Sequence, residues 1–466
     1  MKKIIYTFLA VLAIAGTGCK KFVDGYDVSP NSPVAVTNPL LLSNAEVAYF
    51  ATANGQLSRQ TSMLVQQNTG IDFQSKDIND YLIREGTNSN EWQVIYASGI
   101  VNLNKLYTQA GSSNPYYQGM SRIISAMFLG VATDLWGDVP SKEAGMGING
   151  PASFNPAFDA QKTVIEDIQK YLDEAILLLA NAETKNIMLP GSDDIIFGGD
   201  PKKWIATAHV LKARYYNRLS KKDPAGSATS AIASLAAAKA AGFTGNASDC
   251  MAKFGTKSNE YNQWYAFTVV ARAGYIKAGK TLTDTMNAWG DPRREFYFLP
   301  DSGNAFNGSA PDVPSTYSSE VGPYLATADA PFPLVTYYEA KFIEAEAQLR
   351  AGDNAKAATA LNEAVIASVT KVTSKVPDIV FSTAHANENA GTITIAKIML
   401  QKYVAMYSQI EAYSDWRRTD YPKLTPNAAS ILGAIPRRFP TVLEERLYNK
   451  NAPAISDIKL PVWWDQ

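Results

Sequence analysis

The sequence predicts a mainly α protein, built from tetratricopeptide-like helix pairs and broken by one long irregular, loop-rich insertion. Three observations carry that reading. Apolar residues recur at spacings of three and four along most of the chain, which places them on one stripe of a helix. Ala345, Gly352, Ala357, Leu361 and Ala364 have tetratricopeptide spacing, with small residues where two helices touch and glycine at the turn. Residues 243–335 are instead rich in Gly, Pro, Asn, Ser and aromatic residues with little periodicity, the composition of loops.

The elements follow in order. Lys2 and Lys3 precede an uncharged apolar run from Ile4 to Ala15, then Gly16, Thr17, Gly18 and Cys19. This is a secretory signal, residues 1–18, too short to span a bilayer. A cysteine directly after small residues is where lipoprotein maturation attaches acyl chains, so Cys19 is the expected lipidated first residue, and two or more chains give stable anchoring. Plain secretion is the alternative and keeps the same compartment. Residues 19–39 carry Pro30, Pro33 and Pro39 among polar residues and read as a tether. A single helical domain is expected over 40–466.

Within it, Met120, Ile124, Met127, Val131 and Leu135 form one stripe, and Val164, Ile168, Tyr171, Ala175 and Leu179 a second. Further stripes are Trp204, Ala208, Leu211, Tyr215 and Leu219; Tyr338, Phe342, Ala345 and Leu349; and Met399, Tyr403, Met406 and Ile410. The helices around 120–135 and 158–180, and those around 202–219 and 228–241, are expected to pair as well. Trp92 and Tyr96, at helical spacing, read as core.

Composition excludes several classes. Removing the two signal lysines takes the formal charge from -1 to -3, and no basic block offers a footprint for nucleic acid. No later stretch has the roughly eighteen uncharged apolar residues a membrane helix needs. Only two histidines occur, His209 and His385; each reads as structural, and no HExxH, CxxC or GxSxG is present, so no metal and no cofactor is expected. Glu444 and Glu445 are the densest carboxylates and read as a solvated face. With Cys19 acylated, Cys250 is left as a small buried hydrophobe. Gly274 to Thr281 fits the Walker A pattern letter for letter, but the chain lacks the alternating strands of a nucleotide-binding sheet, so the match reads as chance.

Several phrases, taken together, resemble the SusD/RagB family of outer-membrane lipoproteins, in particular its SusD-like branch of uncharacterised specificity. They are Cys19 to Asp27 with Ser29-Pro30-Asn31; Leu135 to Pro140; Gly199 to Trp204 leading to Arg214; and Asp291-Pro292-Arg293-Arg294. Gln401-Lys402-Tyr403 through Asp415 to Thr419 and Tyr421-Pro422, then Ile435 to Arg438, then Val462 to Asp465 complete the series. The resemblance implies a SusD-like helical fold held on the outer face of the outer membrane by its lipid. It also implies a non-enzymatic role, capturing oligosaccharide, or in some relatives peptide, for a SusC-like TonB-dependent transporter. A surface hydrolase is the alternative from another class. The arginines of these phrases read as structural, since a guanidinium fork ties several carbonyls and carboxylates at helix ends.

A sugar ring offers an apolar face to an aromatic ring and hydroxyls to amides. Two stretches carry that mixture, Asn259 with Tyr261, Asn262, Gln263, Trp264 and Tyr265, and Phe73 through Tyr81. These are the expected ligand contacts, with Trp264 first. The competing reading makes Trp264 and Tyr265 core, at the start of an apolar strand.

Overall fold

A computed structural model describes residues 36–466. The expected signal, Cys19 and most of the tether lie outside the described residues. Regular structure begins earlier than the sequence suggests, because Pro39 falls in the first turn of helix α1 (Asn38–Asn54). There the missing N–H has no intrahelical partner to lose. Next come α2 (Gln56–Leu64), strand β1 (Asn68–Gly70), α3 (Phe73–Asn79) and α4 (Ser89–Gln93). A π-helical turn, Val94–Ile100, joins α4 to α5 (Val101–Ala110). In that stretch Trp92 is buried and lies 4.5 Å from Tyr96, whose hydroxyl donates to the Pro140 carbonyl, so both are core as expected.

The three anticipated helix pairs are all formed. They are α6 (Pro115–Trp136) with α7 (Gln161–Leu179), α8 (Pro201–Arg218) with α9 (Pro224–Ala240), and α11 (Tyr337–Arg350) with α12 (Asn354–Thr373). Each pair also packs on the next, α7 on α8 and α9 on α11, so the apolar faces merge into one core. Helix α6 is the centre: every residue but Arg122 is buried, as its near-continuous apolar sequence requires. A Cβ at Gly130 would overlap the Tyr215 hydroxyl of α8, so glycine sets that close crossing. Gly352 takes φ +83° in the turn between α11 and α12, a conformation that glycine adopts without Cβ strain.

The insertion is more ordered than its composition suggests. It contributes β2 (Cys250–Ala252), β3 (Ile276–Ala278), helix α10 (Lys280–Trp289) and β4 (Phe332–Val335). Strand β1 pairs antiparallel with β3, and β2 with β4. The possible strand at Ala266–Val270 is instead a π-helical turn, Ala266–Ala271, preceded by a short helix, Gln263–Tyr265. The Walker-like segment is not a phosphate loop. Its middle is β3, and the N–H groups of Ala278, Gly279 and Lys280 already donate to Ser319, Gln67 and Ser309 carbonyls. Lys280 pairs with Asp284 at 2.6 Å.

The stripe from Met399 to Ile410 is buried throughout but is not one helix. It splits into α13 (Ile395–Ala405) and α14 (Ile410–Thr419). Between them Ser408 takes φ 60°, its N–H donates to Gln67 and its carbonyl accepts from Ser58. Those tertiary bonds replace the intrahelical ones.

The phrase arginines are structural. Arg214 forks onto Glu339 at 2.6 Å, Arg293 onto Asp291, and Arg418 onto Glu346 and Asp415. Arg417 donates to the carbonyls of Asp134 and Arg437, between the rings of Tyr413 and Trp464. Arg438 holds the Trp136 carbonyl where α6 ends. Residues 462–465 then return to the core: Trp464 is fully buried, and Asp465 takes Lys221 and Arg437.

Candidate functional site

The β1–β3 pairing is what builds the site. By joining residues 68–70 to 276–278 it sets the chain after β1 beside the chain before β3, and Ile71 N–H donates to the Tyr275 carbonyl at 2.8 Å. Phe73 and Tyr275 are thereby stacked, 5.3 Å apart and 18° from parallel. Phe73 is 65% exposed and sits at φ 41°. A bulky residue at positive φ is strained, and a large apolar ring in water gains nothing from folding, so both costs point to a use outside the fold. Asp72 holds the turn by accepting from the Phe73 N–H at 2.9 Å.

Beside this stack lies a cleft of about 240 Å³, with α2 on one side, α3 on another and Phe267 of the π-helical turn on a third. Helix α2 supplies Arg59, Gln60 and Met63, and α3 supplies Gln74 and Asp77. The Arg59 guanidinium lies 4.3 Å from the centre of the Phe267 ring and donates to the Gln263 carbonyl at 3.2 Å. Burial pulls the Arg59 pKa down to about 10, with Glu91 acting the other way, so it remains cationic at neutral pH.

Gln263, whose carbonyl Arg59 holds, lines a second cavity of about 580 Å³. Asn259, Tyr261 and Gln263 line it together with Phe50 and Lys253. Tyr261 and Tyr265 meet edge to face at 5.0 Å. Beneath this cavity the Asp194 carboxylate accepts from the N–H groups of Ile196, Phe197 and Gly199 and from the Trp204 indole. Burial first, then repulsion from Asp194, pushes the neighbouring Glu46 up to about 10.

Three expected ligand residues point the wrong way. Trp264 is fully buried, its indole N–H donating to Ser58 Oγ at 3.0 Å. Asn262 is buried and caps the short helix, accepting from the Trp264 N–H and donating to the Ala330 carbonyl. Tyr81 is buried, its hydroxyl accepting from Asn427 N–H at 2.9 Å. The segment alternates, so Asn262 and Trp264 turn inward while Tyr261, Gln263 and Tyr265 turn outward. Among the sequence-predicted residues, Asn259, Tyr261, Gln263 and Tyr265 are brought together, and Phe73 is stacked apart from them on Tyr275. The sequence reading missed Arg59, Phe267 and Tyr275. No local signal marked them: Arg59 has no acidic residue three or four positions away along its helix, but neither have Arg122, Arg214 and Arg218, which carboxylates from distant segments hold.

Among the described residues the two histidines lie apart from both cavities. His385 packs between Trp289 and Phe381, and burial lowers the pKa of both it and His209. Among the described residues no group of His, Cys, Asp and Glu is placed to hold a metal ion. Cys250 is buried, and burial raises its thiol well above the usual range. Glu444 and Glu445 do more than face solvent, since they accept from Ser89 and from the Trp92 indole. No described helix is long and apolar enough to cross a membrane.

A comparison with curated protein sequences finds no match. Among solved structures, a SusD/RagB family protein from Bacteroides thetaiotaomicron superimposes with a TM-score of 0.78 at 22% identity, covering 92% of this chain and 99% of that one. A chitin-binding protein gives 0.77 at 22% identity, covering 92% and 100%. A chitin-binding SusD homolog from Flavobacterium johnsoniae gives 0.75 at 19% identity, covering 92% and 97%. Residues 30–440 match the SusD-like_2 family, described as starch-binding and associating with the outer membrane. With its helix pairs, its ordered insertion and a family match over most of its length, the chain belongs to the SusD-like_2 family.

Proposed function

We propose that this protein captures oligosaccharide at the cell surface and passes it to a SusC-like TonB-dependent transporter in the outer membrane, to which it is anchored through lipid on Cys19. The observation that carries the reading is Phe73, an exposed ring on strained backbone, stacked against Tyr275 beside a cleft rich in amides and guanidinium groups. A sugar ring presents axial C–H groups to such a face and hydroxyls to Arg59, Gln60 and Gln74. Binding of this kind needs no nucleophile and no acid–base pair. The cavity at Tyr261 and Tyr265 extends the surface, so a chain of several sugars is held better than one.

Calorimetry with starch and chitin oligosaccharides of two to eight units tests the capture step. Affinity that rises with length and falls on Phe73→Ala supports it. An absence of binding across a broad glycan array, or release of shortened products during incubation, refutes it. Cys19→Ala tests the anchor, since that variant should leave the outer-membrane fraction.

A further inference from the structure

We infer that the cleft between α2 and α3 selects oligosaccharides that carry carboxylate groups, that is, chains containing hexuronic acid; this rests on the capture reading above. The argument is one of charge placement. Nine of the chain's arginines pair with a carboxylate, and Arg417 and Arg438 are buried on carbonyl oxygens. Among the described residues three arginines remain with no carboxylate within 4.0 Å: Arg59, Arg84 and Arg272. Two of them line the aromatic cleft, and the third lies near the ring stack beside it. Arg59 and Arg84 line the cleft, Arg59 lies over Phe267, and Arg272 lies 5.9 Å from the Tyr275 ring that stacks on Phe73.

A structural arginine is tied to an acid or to carbonyls, as those of the helix pairs are. These side chains have little to hold them: Arg59 makes one bond to the Gln263 carbonyl, and Arg272 one to the adjacent Ala271 carbonyl. Their free N–H groups form forks that match a planar carboxylate in two parallel hydrogen bonds. In a partly desolvated cleft such a bond is stronger than one to a neutral hydroxyl. The aromatic faces argue for a sugar as the carrier of that acid, since Phe73, next in the chain to Gln74 of the cleft, offers a flat exposed ring. Asp77 lines the same cleft without an ion-pair partner among the described residues and opposes an incoming anion, which sets a second, opposite test of sign.

The test is calorimetry on the full chain with two pairs of tetrasaccharides, α-linked galacturonide and β-linked glucuronide, each beside its carboxyl-reduced counterpart, and with tetraglutamate. At least one acid should bind tenfold or more tightly than its reduced form, and that advantage should shrink with added salt. Arg59→Gln and Arg84→Gln should each weaken the acid fivefold or more, and at least threefold more than they weaken the reduced form, while Asp77→Asn tightens the acid. Arg84 is exposed, so its variant folds whatever Arg59→Gln does. Equal binding of acid and reduced forms, or binding of neutral starch or chitin chains alone, overturns the inference and leaves capture standing. Binding of tetraglutamate in place of both uronides overturns it in favour of an acidic peptide. No binding of any saccharide overturns capture, and the inference with it.

Discussion

Replacing Trp264 by alanine should unfold the protein more readily without weakening its grip on ligand. The indole is fully buried in the core shared by α1, α2 and the insertion, and it gives its N–H to Ser58. Truncating a buried Trp to Ala costs about 3–5 kcal/mol, the transfer of the lost ring plus the cavity it leaves. The described chain runs from 36 to 466, and an unfolding entropy near 2.1 cal/mol/K per residue gives roughly 0.9 kcal/mol per kelvin. The expected fall in melting temperature is therefore about 3–6 K for a cooperative transition. Differential scanning calorimetry measures it, and titration of the folded variant well below its transition should return an affinity within threefold of the parent. An unchanged melting temperature together with a tenfold loss of affinity would mean that Trp264 meets the ligand, and the assignment to core would fail.

Phe73→Gly should do the reverse. Losing the stacked ring costs about 1–2 kcal/mol of binding, roughly five- to thirtyfold in affinity, while glycine relieves the positive φ, so the variant should melt no lower than the parent; a large drop in melting temperature would make Phe73 structural. Glu46 carries a pH signature. Its folded pKa, about 10, lies above the unfolded value near 4.3, so the folded state keeps a proton that the unfolded state releases. Stability from this group therefore falls as pH rises between those values, by at most about 1.4 kcal/mol per unit. Glu46→Gln should match the parent near pH 4 and melt higher at pH 8; a variant less stable at both would remove the buried acid from the account. Glu346→Gln strips the carboxylate from Arg418 and Arg350 in the core. Breaking such a pair costs about 3–5 kcal/mol, visible as a lower denaturant midpoint, and a change under 1 kcal/mol would show that the network relaxes.

Periodicity made the helix pairs legible, because the apolar stripes of α6, α7, α8 and α11 are all buried or half-buried. Only α7 is buried along its stripe alone, and α6 is buried nearly all round. The α13–α14 break was not legible: the stripe stays buried across it, and what stops the helix is Gln67 and Ser58, more than 300 residues earlier in the chain. The same holds for the site. Composition pointed to residues 259–265, but which ring faces out depends on a cap at Asn262 and on carbonyls from 328 and 330 that no local pattern announces. Phe73 was visible as an aromatic beside amides, yet its partner Tyr275 becomes a neighbour only through β1–β3 pairing.

The closure by residues 462–465 bears on how the polypeptide reaches its folded form. Trp464 lies 5.3 Å from the Arg218 guanidinium and 4.7 Å from that of Arg417. Lys221 and Arg437 both depend on Asp465. Until this segment has been synthesised, Lys221, in the turn after α8, lacks its carboxylate, and Arg437 keeps only Asp420. A chain cut before Val462 therefore loses a fully buried indole and the carboxylate shared by two cations at once, a larger loss than five residues of length suggest.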